Sequence, residues 1–318
     1  MRMSTAKRVA SKLKKGYDDP EWWRAQVRSR IAKPLLNSRD TGENYFDKDW
    51  DNLFILDAAR ADLFEEATDV SKFDDYYRTL SPGSSSEEWM RECFANNTWD
   101  DVVYVSGNPW VSRIGSDSFH KVYNLWVDEF GLDKSATASE GTLAEHDPKG
   151  LGTIEARHLS DVAREVHKQH PKKRLVVHYF QPHAPCIGNK DGSVKEEVRV
   201  EVDLEKALRK GRTSFEEVWE AYKENLLYAL THARGLAEDI GGKTTYTADH
   251  GELMGEWLWP VPMRGYAHPS GLHHKKLLEV PWAIENNGKR RKIVSDEVTE
   301  RDEHTEEINS HLKALGYK

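Results

Sequence analysis

Residues 243–256 read Lys-Thr-Thr-Tyr-Thr-Ala-Asp-His-Gly-Glu-Leu-Met-Gly-Glu. The β-prone run up to Thr247 predicts a strand that ends just before Asp249 and His250. The carboxyl edge of an open α/β sheet is where such proteins bind their ligands. An adjacent carboxylate and imidazole suit a divalent cation, and Gly251 lets the backbone turn away. A polar strand end that caps the next helix is the alternative interpretation.

Strands and helices alternate along the rest of the chain. The predicted strands are 52–56, 76–80, 102–105, 174–180, 243–247 and 280–285. The predicted helices are one that begins near 59, then 86–96, 153–170, 214–240 and 300–315. Near-continuous apolar strands joined by helices predict an α/β fold with a mostly parallel central sheet and helices on both faces. We expect a single large domain over 41–318, with a charged insertion near 189–212, after a basic helical N-terminal segment, 1–40.

Composition favours a globular protein. The chain has 318 residues, of which 38% are hydrophobic, including eleven tryptophans. This is enough for one large domain. No apolar run approaches the length of a membrane span, and the N-terminus lacks the apolar region of a secretory signal. Cys93 and Cys186 form no disulfide framework, so a reducing cytoplasm is the simplest predicted location.

Charge is distributed unevenly along the chain. Residues 1–36 contain ten Lys and Arg against three acids, whereas the whole chain carries a net charge of −8. Such a basic segment either contacts an anionic membrane surface or folds back onto the acidic body. We therefore predict a cytoplasmic protein. Its basic segment either folds back onto the acidic body or makes a peripheral contact with a membrane. The acidic body argues against nucleic acid as a partner.

A second acid follows the first predicted strand. Asp57 comes directly after the apolar run that ends at Leu56, and small residues and Arg60 follow it. Because parallel strands place their carboxyl ends at one edge, Asp57 and Asp249 are predicted to meet although they are far apart in sequence. A helix N-cap is the other interpretation of Asp57.

A serine-rich turn precedes a predicted helix. Residues 81–90 read Ser-Pro-Gly-Ser-Ser-Ser-Glu-Glu-Trp-Met, and apolar residues fall three, four, seven and eight positions after Ser86. That spacing favours Ser86 as the first helical residue, and Ser84 and Ser85 fit it less well. A serine at a helix N-terminus lies among free N–H groups, where its oxygen can approach a metal and an anion. An ordinary N-cap is the alternative.

Histidines follow the predicted strand 174–180 and precede the predicted strand 280–285. His183 lies in the Pro-flanked loop 182–185, where it could donate a proton to a leaving oxygen or hold an anion. His178 lies inside the strand and is interpreted as a satisfied core histidine. His268, His273, His274 and Lys275 lie together in a loop as further cationic or ligating candidates.

These pieces, in this order, resemble the alkaline phosphatase superfamily, in particular its sulfatase-like branch. The matching positions span roughly 50–290, and the most specific is the string Asp249-His250-Gly251-Glu252 with Gly255-Glu256. The others are a strand ending in Asp57, a serine opening a helix at 86, a Pro-His-x-Pro loop, His268, and Val280-Pro281.

The resemblance implies roles for individual residues. Asp57, Ser86, Asp249 and His250 would bind one divalent metal ion (Mn, Mg, Ca or Zn), with Ser86 also the nucleophile. His183 and His268 would act catalytically on the substrate anion or leaving group, and Arg60, His273 and Lys275 would bind substrate. The implied reaction is hydrolysis or transfer of a small-molecule, glycan or lipid ester through a covalent intermediate.

The residues around Ser86 depart from the family pattern, and these departures bear on the reacting group and on the activity. The residues after Ser86 lack the Pro and Arg that accompany formylglycine formation in sulfatases, which favours an unmodified serine and phosphate over sulfate. Glu87 and Glu88 beside the serine would repel a dianion unless they point to solvent. The alternative function is therefore a catalytically weakened family member that binds an anionic glycan or lipid head group.

Overall fold

The computed structural model describes residues 20–37, 41–94, 97–133, 152–188 and 204–295. Its strands are β1 (Asn52–Leu56), β2 (Asp75–Leu80), β3 (Trp99–Ser106), β4 (Phe119–Asn124), β5 (Arg174–Tyr179), β6 (Gly242–Thr247), β7 (Leu253–Trp257), β8 (Arg264–Ala267) and β9 (Glu279–Asn287). Residues 1–19 of the predicted basic segment, 189–203 of the charged insertion and the predicted helix 300–315 lie outside the described residues.

Seven strands form one sheet in the order β2-β9-β6-β1-β5-β3-β4, and β7 pairs with β8 in a separate hairpin. The central strand β1 is parallel to both neighbours: Leu56 lies opposite Tyr179 of β5, and Ile55 lies opposite Thr247 of β6. Strand β9 runs antiparallel to β6 and β2. All residues of β1 are buried, as expected for a strand covered on both faces. The predicted mostly parallel sheet is confirmed.

Helices cover both faces of this sheet. They are α1 (Pro20–Val27), α2 (Lys33–Leu36), α3 (Ala61–Ala67), α4 (Ser86–Phe94), α5 (Val111–Ile114), α6 (Leu125–Asp128), α7 (Ala156–Gln169), α8 (Leu204–Arg209), α9 (Phe215–Ile240) and α10 (Lys275–Leu278). The Tyr179 hydroxyl lies 2.9 Å from the Ser160 hydroxyl of α7, whereas the His178 ring lies 5.9 Å from the Trp89 ring of α4. Because neighbouring strand residues point to opposite faces, α7 and α4 lie on opposite faces. The α/β class is therefore confirmed in full.

The structure adds elements that the sequence pattern did not predict. Strand β4 reads Phe-His-Lys-Val-Tyr-Asn and lies at the sheet edge, where half of its residues are only partly buried. The hairpin strand β7 follows Glu252 directly and belongs to a different sheet from β6. Both strands lack the continuous apolar run that identified the central strands.

The N-terminal helices pack against the hairpin through a small second core. Ala32 and Leu36 lie with Leu253, Leu258 and Leu272 in this cluster, apart from the main core. Between α1 and α2 the chain makes a π-helical turn over Arg28–Ala32. Among the described residues, no helix combines the length and apolar content that crossing a bilayer requires. The predicted domain division at residue 40 stays a prediction.

Neighbouring leucines on α9 test how this packing contributes to stability. Leu226 is fully buried and Leu227 is 40% exposed. We expect Leu226→Ala to lower the free energy of unfolding by about 2–5 kcal/mol, because it leaves a cavity in the core. Leu227→Ala, the same chemical change one residue away, should cost less than about 1 kcal/mol. Urea denaturation followed by circular dichroism measures both, and equal losses would contradict this view of α9.

Candidate metal centre and active site

Two carboxylates meet at the carboxyl edge of the sheet. Asp57 follows β1, and Asp249 follows the adjacent parallel strand β6. The Asp249 Oδ1 accepts hydrogen bonds from the backbone N–H groups of Ala58 (3.1 Å) and His250 (3.0 Å). The Asp57 Oδ2 accepts one from the Asn108 amide at 2.8 Å. Each carboxylate is thus held through one oxygen, which leaves its other oxygen for a shared centre.

The backbone at Ala58, next to Asp57, adopts a strained conformation. Ala58 has φ 62°, the left-handed region that a non-glycine residue rarely adopts. Such a conformation costs on the order of 1–3 kcal/mol and is typical of functional sites. Here it accompanies the hydrogen bond from the Ala58 N–H to Asp249, which joins the ends of β1 and β6.

An imidazole and a hydroxyl complete the centre. The His250 Nδ1 lies 2.8 Å from the Gly251 carbonyl oxygen, so Nδ1 carries the hydrogen and Nε2 the lone pair. That Nε2 lies 3.6 Å from Asp57 Oδ1, 3.5 Å from Asp249 Oδ2 and 3.2 Å from Ser86 Oγ. The Ser86 hydroxyl donates to Asp249 Oδ2 at 2.6 Å. The structure therefore brings all four predicted metal ligands together.

The other serines of the turn have different partners. The Ser84 hydroxyl donates to Glu88 Oε2 at 2.6 Å, and the Ser85 hydroxyl accepts from the Glu88 N–H at 3.3 Å. Both bonds support the first turn of α4. Ser81 donates to the backbone carbonyl of Asp249, whereas Ser86, the first residue of α4, donates to the Asp249 carboxylate.

The centre has the electrostatic character of a cation site. Burial raises the pKa of Asp57 well above its ordinary value, and the Asp249 carboxylate raises it further. Burial also disfavours the ionised form of Asp249, but the imidazoles of His250 and His178 hold its pKa below the ordinary value. The Asp57 Oδ1 is buried and has no hydrogen-bond partner among the described residues. Two carboxylates, an imidazole and a hydroxyl fit a divalent cation, which would relieve the repulsion between the acids.

His178 differs from its sequence interpretation. It is fully buried inside β5, as expected, and its Nδ1 lies 2.8 Å from the Tyr104 hydroxyl. However, its Nε2 has no hydrogen-bond partner within the part of the chain that the structure describes, and it lies 3.5 Å from Asp249 Oδ2. Ligand atoms of Asp57, His178 and Asp249 lie within 4.8 Å of one another. His178 is therefore a residue of the centre and not simply a core histidine.

Asn108 is a site residue that the sequence did not reveal. Its amide donates both to Asp57 Oδ2 (2.8 Å) and to Ser86 Oγ (3.0 Å). It follows β3 by two residues, so it reaches the same sheet edge as the two acids. The available signal was this position after an apolar strand, which also identified Asp57.

A second ligand cluster adjoins the first. Ligand atoms of His183, Glu252 and His268 lie within 4.8 Å of one another. The His268 Nδ1 lies 2.7 Å from Glu252 Oε2, and the Glu252 Oε1 is buried without a hydrogen-bond partner. The His268 ring lies 4.5 Å from the His250 ring and 5.2 Å from the His183 ring. The predicted catalytic histidines thus border the Ser86 centre, and Glu252 joins them.

The predicted substrate-binding residues have other partners. Arg60 is almost fully buried and pairs with Asp62 (2.8 Å) and Glu256 (2.5 Å), so its charge is already balanced. The His273 Nε2 lies 2.9 Å from Glu88, and Lys275 pairs with Glu279 at 3.5 Å. These contacts do not favour anion binding by Arg60, and they engage the other two side chains with carboxylates.

The glutamates beside Ser86 also turn away from it. Glu87 pairs with Arg91 one turn along α4. Glu88 accepts hydrogen bonds from the Ser84 hydroxyl and the Gly271 N–H and contacts His273. Their carboxylates therefore bond to groups other than Ser86, although the Glu88 side chain is partly buried and does not point to solvent.

Neutral His183 is a testable feature of the site. Burial, with a contribution from His268, lowers its pKa to about 4, and its Nδ1 bonds to the Ala184 carbonyl. We expect an imidazole NMR titration of the metal-free protein to show this midpoint, with His183→Gln identifying the signal. Because the unfolded side chain titrates near 6.5, stability should fall as pH drops from about 6.5 through 4. A midpoint near 6.5 would contradict the proposed desolvation of the His183 ring.

No protein-family model matches the chain, and no curated protein matches it. Among solved structures, it is similar to the integral membrane lipooligosaccharide phosphoethanolamine transferase A (EptA) from Neisseria meningitidis. That match has 13% identity, 88% coverage of this chain and a TM-score of 0.43, and this chain spans 58% of the length of EptA.

The chain is also similar to the C-terminal periplasmic domain of phosphoethanolamine transferase EptC from Campylobacter jejuni. That match has 14% identity, coverage of 74% of this chain and 78% of that chain, and a TM-score of 0.47. Another is the corresponding domain of EcEptC from Escherichia coli in complex with Zn, at 13% identity, 78% and 76% coverage, and a TM-score of 0.37.

These neighbours belong to the alkaline phosphatase superfamily, the family that the motifs of this chain resemble. Two of them are periplasmic domains. The cytoplasmic location predicted from the cysteine content is therefore wrong. At these identities and TM-scores the matches assign no activity to this chain.

Proposed function

We propose that the chain is a metal-dependent phosphate-ester transferase or hydrolase of the alkaline phosphatase type, with Ser86 as its nucleophile. One observation carries this proposal: the Ser86 hydroxyl lies at a helix N-terminus within 2.6 Å of Asp249 Oδ2 and 3.2 Å of His250 Nε2. Beside it, the buried Asp57 Oδ1 has no hydrogen-bond partner in the described part of the chain. The substrate class is a phosphate ester of a small molecule, glycan or lipid.

Asp57, Asp249, His250 and Ser86 would hold the cation, with His178 beside them. A divalent cation bound there would lower the pKa of the serine hydroxyl and offset the charge of the ester oxygens. The Ser86 hydroxyl donates its hydrogen to Asp249 Oδ2, and the Asn108 amide donates to a lone pair of the same oxygen, so both groups orient it. The N-terminus of α4 adds the positive end of its helix dipole, which favours an anion.

In the first chemical step the Ser86 Oγ–phosphorus bond forms, the bond from phosphorus to the leaving oxygen breaks, and the Ser86 hydrogen passes to Asp249 Oδ2. The leaving oxygen needs a proton. His268 is the better candidate donor, because its Nδ1 lies 2.7 Å from the buried Glu252 carboxylate, which orients the ring. His183 has a lowered pKa and is neutral near pH 7, so it contributes a lone pair. An acceptor hydroxyl or water then bonds to phosphorus and the Ser86 Oγ–phosphorus bond breaks. The acceptor's hydrogen passes to His268, and the hydrogen on Asp249 returns to Ser86 Oγ.

The residues that follow Ser86 favour phosphate over sulfate as the reacting group. Ser86 is followed by Glu87 and Glu88, without the Pro and Arg of the formylglycine context. An unmodified serine can form a phosphoserine intermediate, whereas sulfatases of the sulfatase-like branch use the modified residue.

Metal analysis combined with a substrate panel tests this function. The purified protein should contain a stoichiometric divalent metal and turn over nitrophenyl phosphate or a phosphodiester more rapidly than nitrophenyl sulfate. Added alcohol acceptors distinguish transfer from hydrolysis, because a transferase yields the alkyl phosphate. Saturable binding with no turnover of any ester would instead support the alternative of a weakened, ligand-binding family member.

A further inference from the structure

A strongly cationic cavity lies beside the histidine cluster. It has a volume of about 410 Å³ and is bounded by α1, α8 and β8. That volume falls within the roughly 300–1,000 Å³ of small-molecule sites. Tyr266 and Ala267 line it, and the next residue, His268, lies against His250 of the metal centre. The cavity and the Ser86 centre are therefore neighbours in the fold.

The lining of the cavity is dominated by positive charge. Its cationic side chains come from three separate parts of the chain and are Arg24, Arg28, Lys206, Arg209 and Arg264. Glu21 is the acid in the lining, and it pairs with Arg209. Cations drawn from distant segments repel one another, so the cavity favours an anionic occupant.

Arg24 and Arg28 point most directly to a ligand. They are one helical turn apart and lie on the same face of the N-terminal helix. Within the described residues, neither has a hydrogen-bond or ion-pair partner. Arg28 is half-buried, and burial lowers the pKa of its guanidinium without a compensating carboxylate. A desolvated charge without a counter-ion is unfavourable unless a ligand supplies one.

Two local features hold the cavity in shape. The Arg264 guanidinium donates to the Gly255 carbonyl at 2.6 Å and lies 4.6 Å above the Trp257 ring. Arg28 begins the π-helical turn, a distortion that is frequent at functional sites. The cationic group on the hairpin side, Arg264, is thus held in place before any ligand binds.

We propose that this cavity binds a phosphate-class anionic group, and that the molecule processed at Ser86 carries this second anion in addition to the reacting ester. Guanidinium groups recognise phosphate through paired hydrogen bonds, which suits the two unpartnered arginines. The link to Ser86 rests on the proposed function, whereas anion binding by the cavity does not. The substrate is therefore a polyanionic ester, and its second anion distinguishes it from a simple monophosphate.

Isothermal titration calorimetry tests the cavity without requiring turnover. The full chain, freed of metal on a chelating resin, is titrated with inorganic phosphate and with water-soluble dihexanoyl phosphatidate. We expect saturable binding by the wild type and at least tenfold weaker binding by the R24Q/R28Q double variant. Arg30→Gln is the matched control, because Arg30 lies on the same helical segment but does not line the cavity.

The two ligands distinguish the sources of the anion. Tighter binding of phosphatidate than of phosphate supports a lipid head group, and equal binding supports a free or glycan-linked phosphate. Arg24 is exposed, so R24Q alone cannot act through misfolding and should weaken binding at least threefold. Equal affinity of wild type and R24Q/R28Q, or no saturable binding by the wild type, would overturn the proposal. Calorimetry measures binding in the cavity without turnover, so an inactive Ser86 centre would not change the result. The proposed function and the proposed cavity can therefore fail independently.

Discussion

Replacing Ser86 with alanine should lower kcat by roughly 10³-fold or more while leaving the fold unchanged, because it removes the only atom proposed to bond to phosphorus. The hydroxyl makes hydrogen bonds to Asp249 and Asn108, and the helix that Ser86 begins is anchored by the buried side chains of Trp89 and Met90. Steady-state hydrolysis of the best ester in the panel measures the loss, and circular dichroism checks the fold.

Ser85→Ala is the matched control for this experiment. The Ser85 hydroxyl accepts the Glu88 N–H, so its loss should cost about 1 kcal/mol of stability through the weakened helix start. Turnover should remain within a few-fold of wild type, because that hydroxyl has no described contact with Asp249. Undiminished turnover by Ser86→Ala, or an equal loss in both variants, would contradict the assignment of the nucleophile.

Asp249→Asn should abolish stoichiometric metal binding. Asp249 Oδ2 is the oxygen closest to the Ser86 hydroxyl, and it lies 3.5 Å from both His250 Nε2 and His178 Nε2. A neutral amide contributes no anionic ligand, so we expect metal affinity to fall by at least about 100-fold and turnover to fall with it. Inductively coupled plasma analysis and metal titration give the stoichiometry.

The thermal stability of the same variant separates metal loss from unfolding. Metal should raise the melting temperature of the wild type, because a ligand bound only to the native state stabilises it by about 2.7 kcal/mol at 100-fold over its Kd. Metal should not raise that of Asp249→Asn. The metal-free variant should stay folded, since removing one of two repelling buried acids relieves the raised pKa of Asp57. Asp69→Asn, which alters an exposed turn cap, should bind metal normally.

Part of the site was predictable because its residues follow a local rule. Asp57 and Asp249 each come just after an apolar or β-prone run, and parallel strands bring such positions to one edge. The spacing of apolar residues after Ser86 likewise indicated the first turn of α4. Each inference uses only neighbours in sequence plus one topological rule.

Other residues escaped prediction because their roles depend on contacts between distant segments. His178 sits mid-strand, where periodicity indicates only burial, and its partner Asp249 is 71 positions away. The sequence predicted that Arg60 binds an anion, but the fold places the carboxylates of Asp62 and Glu256 beside it. Glu252 was visible in its motif, but its contact with His268 depends on the hairpin between them.

The order of apolar strands and helices, together with an acid or serine at the element ends, was enough to determine an α/β sheet with chemistry at its carboxyl edge, because side-chain periodicity and strand direction are local properties. Only the tertiary structure decided which charges remain available. Arg60 is neutralised by its neighbours, whereas Arg24 and Arg28 have no described partner, and no spacing along the chain distinguishes them. That difference is set by which distant segments pack together, since an ion pair depends on separation in space.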